Sequence, residues 1–222
     1  MVVVSKEFPI DYNLSEAEAL QEVTAQFLSG GCTTSAPFFI HMLGVPGVGK
    51  TTFARSLHQV FKQECLFLGF DDVMGAIPDY QAMTDKKAAF EKWELPARNA
   101  GYHILKQALD AGYSVLFDHG GSPPEHPLLF EYAKARGYRC CLCWVHAPKD
   151  TARTRLEVRN QIPEKRFTPL SYIDERFPDI EKNASAFKER ADKVFEVENG
   201  ADRSVDYLLR DITFIREEIE KR

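Results

Sequence analysis

Five short apolar runs recur along the chain, and segments with helical spacing separate them. Each run has the length that is typical of a buried strand. Strands that alternate with helices predict an α/β three-layer sandwich, in which a five-stranded parallel sheet is joined by right-handed crossovers. The runs are Phe38–Leu43, Cys65–Phe70, Tyr113–Asp118, Tyr138–His146 and Lys193–Glu198.

The segments around these runs predict helices. Asn13–Leu28 predicts one helix that Ser15 caps and that stops at Gly30–Gly31. Asp85–Ala111 predicts a second helix, which Pro96 divides or kinks. We interpret residues 1–36 as a helical extension and residues 37–222 as one main domain. Four more helices are expected. One starts near Lys50, one follows the third run and ends at about Arg136, and two span Asp150–Asn160 and Val205–Arg222.

A glycine-rich segment joins the first apolar run to the first helix of the main domain. It fits the pattern G-x-x-x-x-G-K-[S/T] of a phosphate-binding loop, with a strand before it and a helix after it. Its glycines let backbone N–H groups converge on one anion, and the helix N-terminus adds partial positive charge. We therefore predict nucleoside triphosphate binding, with the lysine on the outer phosphates and the first threonine on Mg²⁺. The residues are Gly44, Val45, Pro46, Gly47, Val48, Gly49, Lys50, Thr51 and Thr52.

Polar residues follow two more of the predicted strands. Asp71 and Asp72 end the second run, and Asp118 and His119 end the third. Ligands of open α/β sheets bind at the carboxyl ends of the strands, so these groups are expected near the bound phosphates. Phosphoryl transfer needs one group that accepts the proton of the attacking hydroxyl and one that orients Mg²⁺. Asp118 is predicted to orient the metal or the acceptor, and either Asp71 or Asp72 is the candidate base. Asp72 and His119 are also candidate substrate contacts.

An arginine-rich stretch follows the fourth run. Arg155 and Arg159 are four residues apart and share a helix face, and Arg166 follows in a predicted loop. Arginines that close over a transferring phosphoryl group stabilise its negative charge. We predict that this stretch is an arginine-rich lid, with Arg155 as a candidate substrate contact.

Composition narrows the class of protein. The 222 residues carry a net charge of −5, with a pI near 5.7, so no overall basic field favours non-specific nucleic acid binding. The first residues, from Met1, lack the apolar centre of a signal peptide, and no run is long enough to span a membrane.

Five cysteines, three of them in one apolar run, are typical of reduced thiols, and we expect a cytoplasmic protein. The histidines show no metal-ligand spacing, and His41 is expected to be a core residue.

These features together resemble the zeta-toxin-like small kinases, within the broader group that includes polynucleotide 5′-hydroxyl kinases and antibiotic phosphotransferases. The resemblance covers Phe38 to Gly200 and rests mainly on the phosphate-binding loop. The other matching residues are Asp71 with Pro78 and Tyr80 after it, the strand Val115–Asp118, and Arg159 and Arg166 with Pro169 behind them.

The resemblance implies a P-loop NTPase fold of the nucleoside-kinase-like type and assigns roles to individual residues. It implies that Asp71 is the general base for a sugar hydroxyl and that Arg159 and Arg166 stabilise the transferred phosphate. The chain departs from the family pattern at Met74, where an arginine is usual, and at Asp118-His119-Gly120, where Glu-Gly-Thr is usual. Both departures concern the acceptor side of the site. The family resemblance also implies an antitoxin-like protein partner.

Three hypotheses follow. The first is an ATP- and Mg²⁺-dependent kinase, with ATP and Mg²⁺ as cofactors, that phosphorylates a hydroxyl of a small molecule or nucleotide derivative. The second is a polynucleotide 5′-hydroxyl kinase, with nucleic acid as the less favoured acceptor. The third is a non-catalytic ATP-binding regulatory protein, which would need no general base.

Overall fold

The computed structural model describes residues 7–61, 64–162, 165–200 and 205–220. Its centre is a five-stranded sheet in the order β2-β3-β1-β4-β5, in which every neighbouring pair is parallel. All five predicted strands are confirmed, with ends that shift by one or two residues. Their bounds are Phe38–Leu43 (β1), Leu66–Gly69 (β2), Val115–Asp118 (β3), Arg139–His146 (β4) and Lys193–Glu198 (β5).

Helices cover both faces of this sheet. Right-handed crossovers place the helix between β1 and β2 on one face, and the helices that follow β2, β3 and β4 on the other. The described helices are α1 (Leu14–Glu18), α2 (Gln21–Leu28), α3 (Lys50–Val60), α4 (Phe70–Gly75), α5 (Pro78–Ala82), α6 (Lys86–Asp110), α7 (Leu128–Lys134), α8 (Lys149–Asn160), α9 (Ser171–Arg190) and α10 (Val205–Glu220). The predicted α/β three-layer sandwich is therefore confirmed.

The N-terminal segment forms two helices, where one was predicted. The chain turns between α1 and α2, because contacts with α6 fix α1 in place: the Asn13 N–H donates to Asn99 Oδ1 (3.2 Å), and Asn99 Nδ2 donates to Glu16 Oε2 (2.7 Å). The predicted cap was also wrong. The side chain of Asn13 accepts the N–H of Glu16 and caps α1, whereas Ser15 lies inside the first turn.

Pro96 does not divide α6, which runs unbroken from Lys86 to Asp110. A proline inside a helix removes one hydrogen bond, at a cost of about 3 kcal/mol. The long apolar face of α6, which packs against β2, β3 and α4, offsets that cost and keeps the helix continuous.

The largest difference from the predicted elements is α9, a 20-residue helix that the sequence pattern did not reveal. Pro178 interrupts its pattern, and most of its positions are polar. Its buried residues, among them Ile173, Ile180 and Phe187, lie against the rest of the core. Tertiary packing therefore decides that this stretch is helical.

Two predictions rest partly on residues outside the described ranges. The N-terminal residues 1–6, which led us to expect no signal peptide, are not described, and neither are the last two residues of the predicted terminal helix. In the part of the chain that is described, no helix is long and apolar enough to cross a membrane. All five cysteines are free thiols, and four of them are buried. The division at residue 36 stays a prediction.

Candidate active site

The phosphate-binding loop lies between β1 and α3, at the carboxyl end of the central strand. Gly47 and Gly49 have positive φ angles of 85° and 93°, which only glycine adopts readily. A Cβ atom at Gly47 would lie 2.1 Å from the carbonyl oxygen of Ala152, and one at Gly49 would lie 2.4 Å from Asn199 Nδ2. Backbone conformation therefore favours glycine at both positions, and the close approach of the Ala152 backbone adds a second requirement at Gly47. This cradle of N–H groups at a helix N-terminus suits a phosphate chain.

Lys50 begins α3 and extends into the cleft beside the loop. Its Nζ donates to the carbonyl oxygen of Val45 (2.9 Å). Burial lowers the pKa of Lys50 to about 8, although the nearby carboxylates of Asp118 and Asp71 oppose the shift. The side chain thus stays mostly protonated at neutral pH and lies where phosphate oxygens would replace the carbonyl contact.

The residues predicted to hold Mg²⁺ lie together. Asp118 ends β3, and its carboxylate accepts a hydrogen bond from the hydroxyl of Thr51. Burial raises the pKa of Asp118, and the Lys50 ammonium opposes this shift. A hydroxyl and a carboxylate beside a phosphate site form the oxygen donor set that Mg²⁺ prefers. The residues present therefore fit the ion.

Asp71 and Asp72 lie in the first turn of α4, because Phe70 begins this helix directly after β2. Asp71 lines the cleft, and its Oδ1 lies 2.5 Å from Arg166 Nη1. Asp72 forms an ion pair with Arg55 of α3. Of the two adjacent carboxylates, Asp71 is the one that faces the phosphate-binding loop across the cleft.

Arg159 and Arg166 converge although they are seven positions apart in the sequence. Both guanidinium groups donate to the hydroxyl of Thr168, from Arg159 Nη2 at 2.6 Å and from Arg166 Nη2 at 3.2 Å. Asn160 fixes the backbone of Thr168 with two hydrogen bonds, of 2.8 Å and 3.0 Å. Burial, and then the charge of Arg166, lowers the pKa of Arg159. The structure therefore brings the two predicted lid arginines together through a threonine that sequence reasoning missed.

The two remaining candidate substrate contacts also line the cleft. Arg155 donates to the carbonyl oxygens of Asn199 (2.9 Å) and Gly200 (3.1 Å), and it thus ties α8 to the end of β5. His119 accepts the N–H of Gly121 at Nδ1 (3.0 Å), and its ring stacks on Phe117. Both side chains have structural partners within the fold.

Several cleft residues were absent from the sequence-based set. Arg98 and Glu94 come from α6 and Arg176 comes from α9, and Tyr102, a core residue that is only 4% exposed, lies beside them. Nothing in local sequence spacing links α6 to α9. In total, six cationic side chains and three carboxylates line a cleft of about 350 Å³, in a chain with a net charge of −5.

Three histidines converge under this cleft, although their spacing in the sequence indicated no metal-ligand set. Ring nitrogens of His41, His119 and His126 all lie within 4.8 Å of one another. Spacing along one helix could not reveal this set, because its members come from β1, from the end of β3 and from the segment before α7.

Hydrogen bonds occupy both ring nitrogens of His41 and of His126. The Tyr102 hydroxyl donates to His126 Nε2 (2.8 Å), His126 Nδ1 donates to His41 Nε2 (3.0 Å), and His41 Nδ1 donates to the Met42 carbonyl (2.7 Å). Burial lowers the pKa of His41 to about 3 and lowers the pKa of His119 and of His126 well below the usual range. The cluster is thus a neutral, hydrogen-bonded part of the core, and the expectation that His41 is a core residue is confirmed.

Comparison with solved structures shows that other proteins share this fold. A structure of the PezAT chromosomal toxin–antitoxin system of the human pathogen Streptococcus pneumoniae has a TM-score of 0.61 at 16% identity, covering 97% of this chain and 100% of that one. A shikimate kinase from Bacteroides thetaiotaomicron has a TM-score of 0.52 at 17% identity, covering 82% and 98%. A structure of AvrRxo1-ORF1:AvrRxo1-ORF2 with ATP has a TM-score of 0.52 at 18% identity, covering 80% of this chain and 56% of that one. These similarities show a shared P-loop kinase fold.

Sequence comparison supplies the family. No curated protein sequence matches the chain significantly. The family model described as Zeta toxin matches residues 27–211, which is most of the chain and includes the phosphate-binding loop, Asp71, Asp118 and both lid arginines. The chain belongs to the zeta toxin family.

Proposed function

We propose that this protein is an ATP- and Mg²⁺-dependent kinase that transfers the γ-phosphoryl group to a hydroxyl of a small molecule or nucleotide derivative. The observation that carries the proposal is the cleft in which Asp71, paired with Arg166, faces the phosphate-binding loop. A protein that only bound nucleotide would need no carboxylate at this place. The ATP-bound structure of AvrRxo1-ORF1:AvrRxo1-ORF2, which shares the fold, supports ATP as the donor.

In the proposed reaction, the loop amides and Lys50 hold the phosphate chain of ATP. Asp71 accepts the proton of the acceptor hydroxyl, whose oxygen forms a bond to the γ-phosphorus while the bond from that phosphorus to the β,γ-bridging oxygen breaks, and ADP leaves. Arg159 and Arg166 stabilise the charge on the transferred oxygens. Thr51 and Asp118 would hold Mg²⁺, which neutralises phosphate charge when it is bound.

The proposal extends to location and partners. Free thiols and the family membership support a cytoplasmic enzyme with a small-molecule acceptor. PezAT is a toxin–antitoxin system, and by analogy we propose an antitoxin-like protein partner for this chain.

The direct test measures transfer of labelled γ-phosphate from ATP, with Mg²⁺, to nucleotide sugars, nucleosides, aminoglycoside and phenicol antibiotics and 5′-hydroxyl oligonucleotides. Lys50→Ala should abolish labelled product. Asp71→Asn should reduce the transfer rate by about 10² to 10⁴ while ATP affinity stays nearly the same, since a general base acts on the acceptor. Asp79→Asn, at an exposed carboxylate of α5 outside the cleft, is the matched control and should leave transfer unchanged.

Each result of this test has a defined meaning. Salt-sensitive transfer to oligonucleotides alone would favour the polynucleotide kinase hypothesis. Tight ATP binding without transfer to any acceptor would favour the regulatory protein. Full activity of Asp71→Asn would remove Asp71 from its proposed role.

A further inference from the structure

The part of the cleft between α6 and α9 carries positive charge that the ATP site does not account for. Arg98 of α6 and Arg176 of α9 both line the cleft, and Glu94 is the carboxylate beside them. The rings of Phe70 and Tyr102 form a neighbouring wall, with their centroids 4.8 Å apart. We call Arg98 and Arg176, with Glu94, Phe70, Tyr102 and Ile180, the α6–α9 subsite.

The other cleft arginines already have protein partners. Arg166 pairs with Asp71, Arg159 donates to Thr168, and Arg155 donates to backbone carbonyls. Within the subsite, Arg98 forms an ion pair with Glu94, one turn earlier on α6. These contacts leave Arg176 as the cation to be explained.

Arg176 makes no hydrogen bond or ion pair with any residue that the structure describes. Its guanidinium carbon lies 3.8 Å from the centroid of the Tyr172 ring, a stacking contact that orients the group and leaves its N–H donors free. The side chain is half-buried, and burial together with the charges of Arg98 and Arg166 lowers its pKa, whereas Tyr172 and the carboxylate of Glu94 oppose the shift. Because Glu94 is already paired with Arg98, one carboxylate serves two guanidinium groups, and a further anion would stabilise Arg176.

We propose that the α6–α9 subsite binds an anionic group of the acceptor, a carboxylate or a phosphate, and that Arg176 is its main ligand. The inference rests on the proposed function, because it assigns the acceptor end of the same cleft. A planar guanidinium binds such groups with two parallel hydrogen bonds, which fixes orientation as well as charge. Phe70, Tyr102 and Ile180 would contact the uncharged body of the acceptor.

The placement of the subsite restricts the acceptor class. Phe70 directly precedes Asp71 in the chain, so an acceptor that lies along Phe70 has its hydroxyl near the proposed base. Arg166 pairs with Asp71 and its charge also acts on Arg176, and all three residues line the same cleft. The expected acceptor is a hydroxyl compound whose anionic group lies a short distance from the hydroxyl that is phosphorylated.

The first experiment compares matched acceptors in the transfer assay. The pairs are gluconate with glucose, glycerate with glycerol, shikimate with its methyl ester, and nucleoside 5′-phosphates or nucleotide sugars with the corresponding nucleosides. We expect transfer to the anionic member of a pair, and the carboxylate and phosphate pairs separate the two sources of charge. For the accepted compound, Arg176→Gln should raise KM by about 10- to 100-fold with a smaller change in kcat, since it removes a charged hydrogen-bond donor.

Two further variants separate charge from structure. Arg176→Lys keeps the charge but loses the planar fork, and it should recover part of the lost KM effect. Arg153→Gln is the matched control: Arg153 lies on α8, pairs with Asp174 at 2.6 Å and does not line the cleft, so its KM should be unchanged. Equal transfer to the neutral members, or an equal KM for Arg176→Gln and the wild-type chain, would overturn the inference while leaving the kinase intact.

A binding measurement keeps the inference testable if no acceptor is phosphorylated. The protein, saturated with Mg²⁺ and a non-hydrolysable ATP analogue, is titrated with inorganic phosphate while its thermal unfolding is followed. A stabilisation that Arg176→Gln abolishes and Arg153→Gln retains would support the anion subsite even though the kinase proposal had failed. The same response to phosphate in all three proteins would overturn the subsite.

Discussion

Thr168 is the residue through which the two lid arginines meet. Its hydroxyl accepts a hydrogen bond from each guanidinium, and its side chain is 1% exposed. The two guanidinium groups repel each other because both are positively charged. The Thr168 hydroxyl, which accepts from both, holds them in one orientation. Arg159 and Arg166 could be picked out from the sequence because arginine is a common ligand of phosphate, whereas a single threonine carries no such signal.

Replacing this hydroxyl should impair transfer more than binding. Thr168→Val keeps the shape of the side chain and removes the acceptor for both arginines, so we expect kcat to fall by about tenfold or more, with a smaller change in the KM for ATP. Steady-state transfer assays with ATP varied would measure the two constants.

Thr168→Ser is the conservative control for this variant. The backbone contacts with Asn160 do not involve the hydroxyl, so the loop should keep its conformation in both variants. The serine variant should recover most of kcat. A valine variant with unchanged kcat would show that the arginines need no shared acceptor.

At the scale of elements, α9 connects the lid to the loop that follows β3. It supplies Arg176 to the cleft, and Asn183, one of its buried residues, donates from Nδ2 to the carbonyl oxygens of Gly121 (2.8 Å), Ser122 (3.0 Å) and Pro123 (2.9 Å). Those carbonyls belong to a loop whose Gly120, Ser122 and Pro123 line the cleft. One helix thereby fixes two walls of the site.

Removing the Asn183 amide should destabilise the protein and loosen that wall. Asn183→Leu leaves buried carbonyl groups without a donor, so we expect the free energy of unfolding to fall by about 2 kcal/mol, measured by urea denaturation. The acceptor KM should rise in the same variant, because the loop borders the cleft.

Lys182→Ala, at the exposed neighbouring position of α9, is the control for Asn183→Leu. It should change the free energy of unfolding by no more than about 0.5 kcal/mol. Equal stabilities of the two variants would mean that the amide contacts do not hold the loop.

At the scale of the whole molecule, the histidine cluster couples folding to pH. The pKa of His41 is about 3 in the folded chain, against an ordinary value near 6.5, so the unfolded state binds more protons between these two values. The contribution of neutral His41 to the stability of the folded chain is therefore fully present above about pH 6.5, and it is lost as the pH falls toward 3. The expected loss is about 1.4 kcal/mol per pH unit for this one histidine.

The variant His41→Gln should flatten this dependence. This variant should be less stable at neutral pH, because a core contact changes. Between pH 6 and 4 it should take up about one proton fewer on unfolding, so the slope of the unfolding free energy against pH is smaller. Chemical denaturation at several pH values measures that slope. Phe130→Leu, which trims the same core without a titrating group, should lose stability and keep the slope. An unchanged slope in His41→Gln would contradict the assignment.

The sequence by itself determined the features that depend on neighbours along the chain. The five strands follow from apolar runs, the phosphate-binding loop follows from glycines whose spacing permits positive φ angles, and Asp118 follows from its place at the end of β3. Asp71, Arg159 and Arg166 follow from their places after the second and fourth strands, the family resemblance assigned a role to each of them, and the structure brings all three to one cleft. Their chemical roles stay predictions.

Tertiary structure alone decided the features that depend on distant parts of the chain. Packing against the core made α9 helical and kept α6 unbroken at Pro96, because buried apolar area outweighs local propensity. The sheet order β2-β3-β1-β4-β5 brought three histidines from separate segments together and placed Arg98 beside Arg176, although 78 positions separate the two arginines. Such encounters leave no periodicity or motif in a sequence, since they are set by how helices and strands pack.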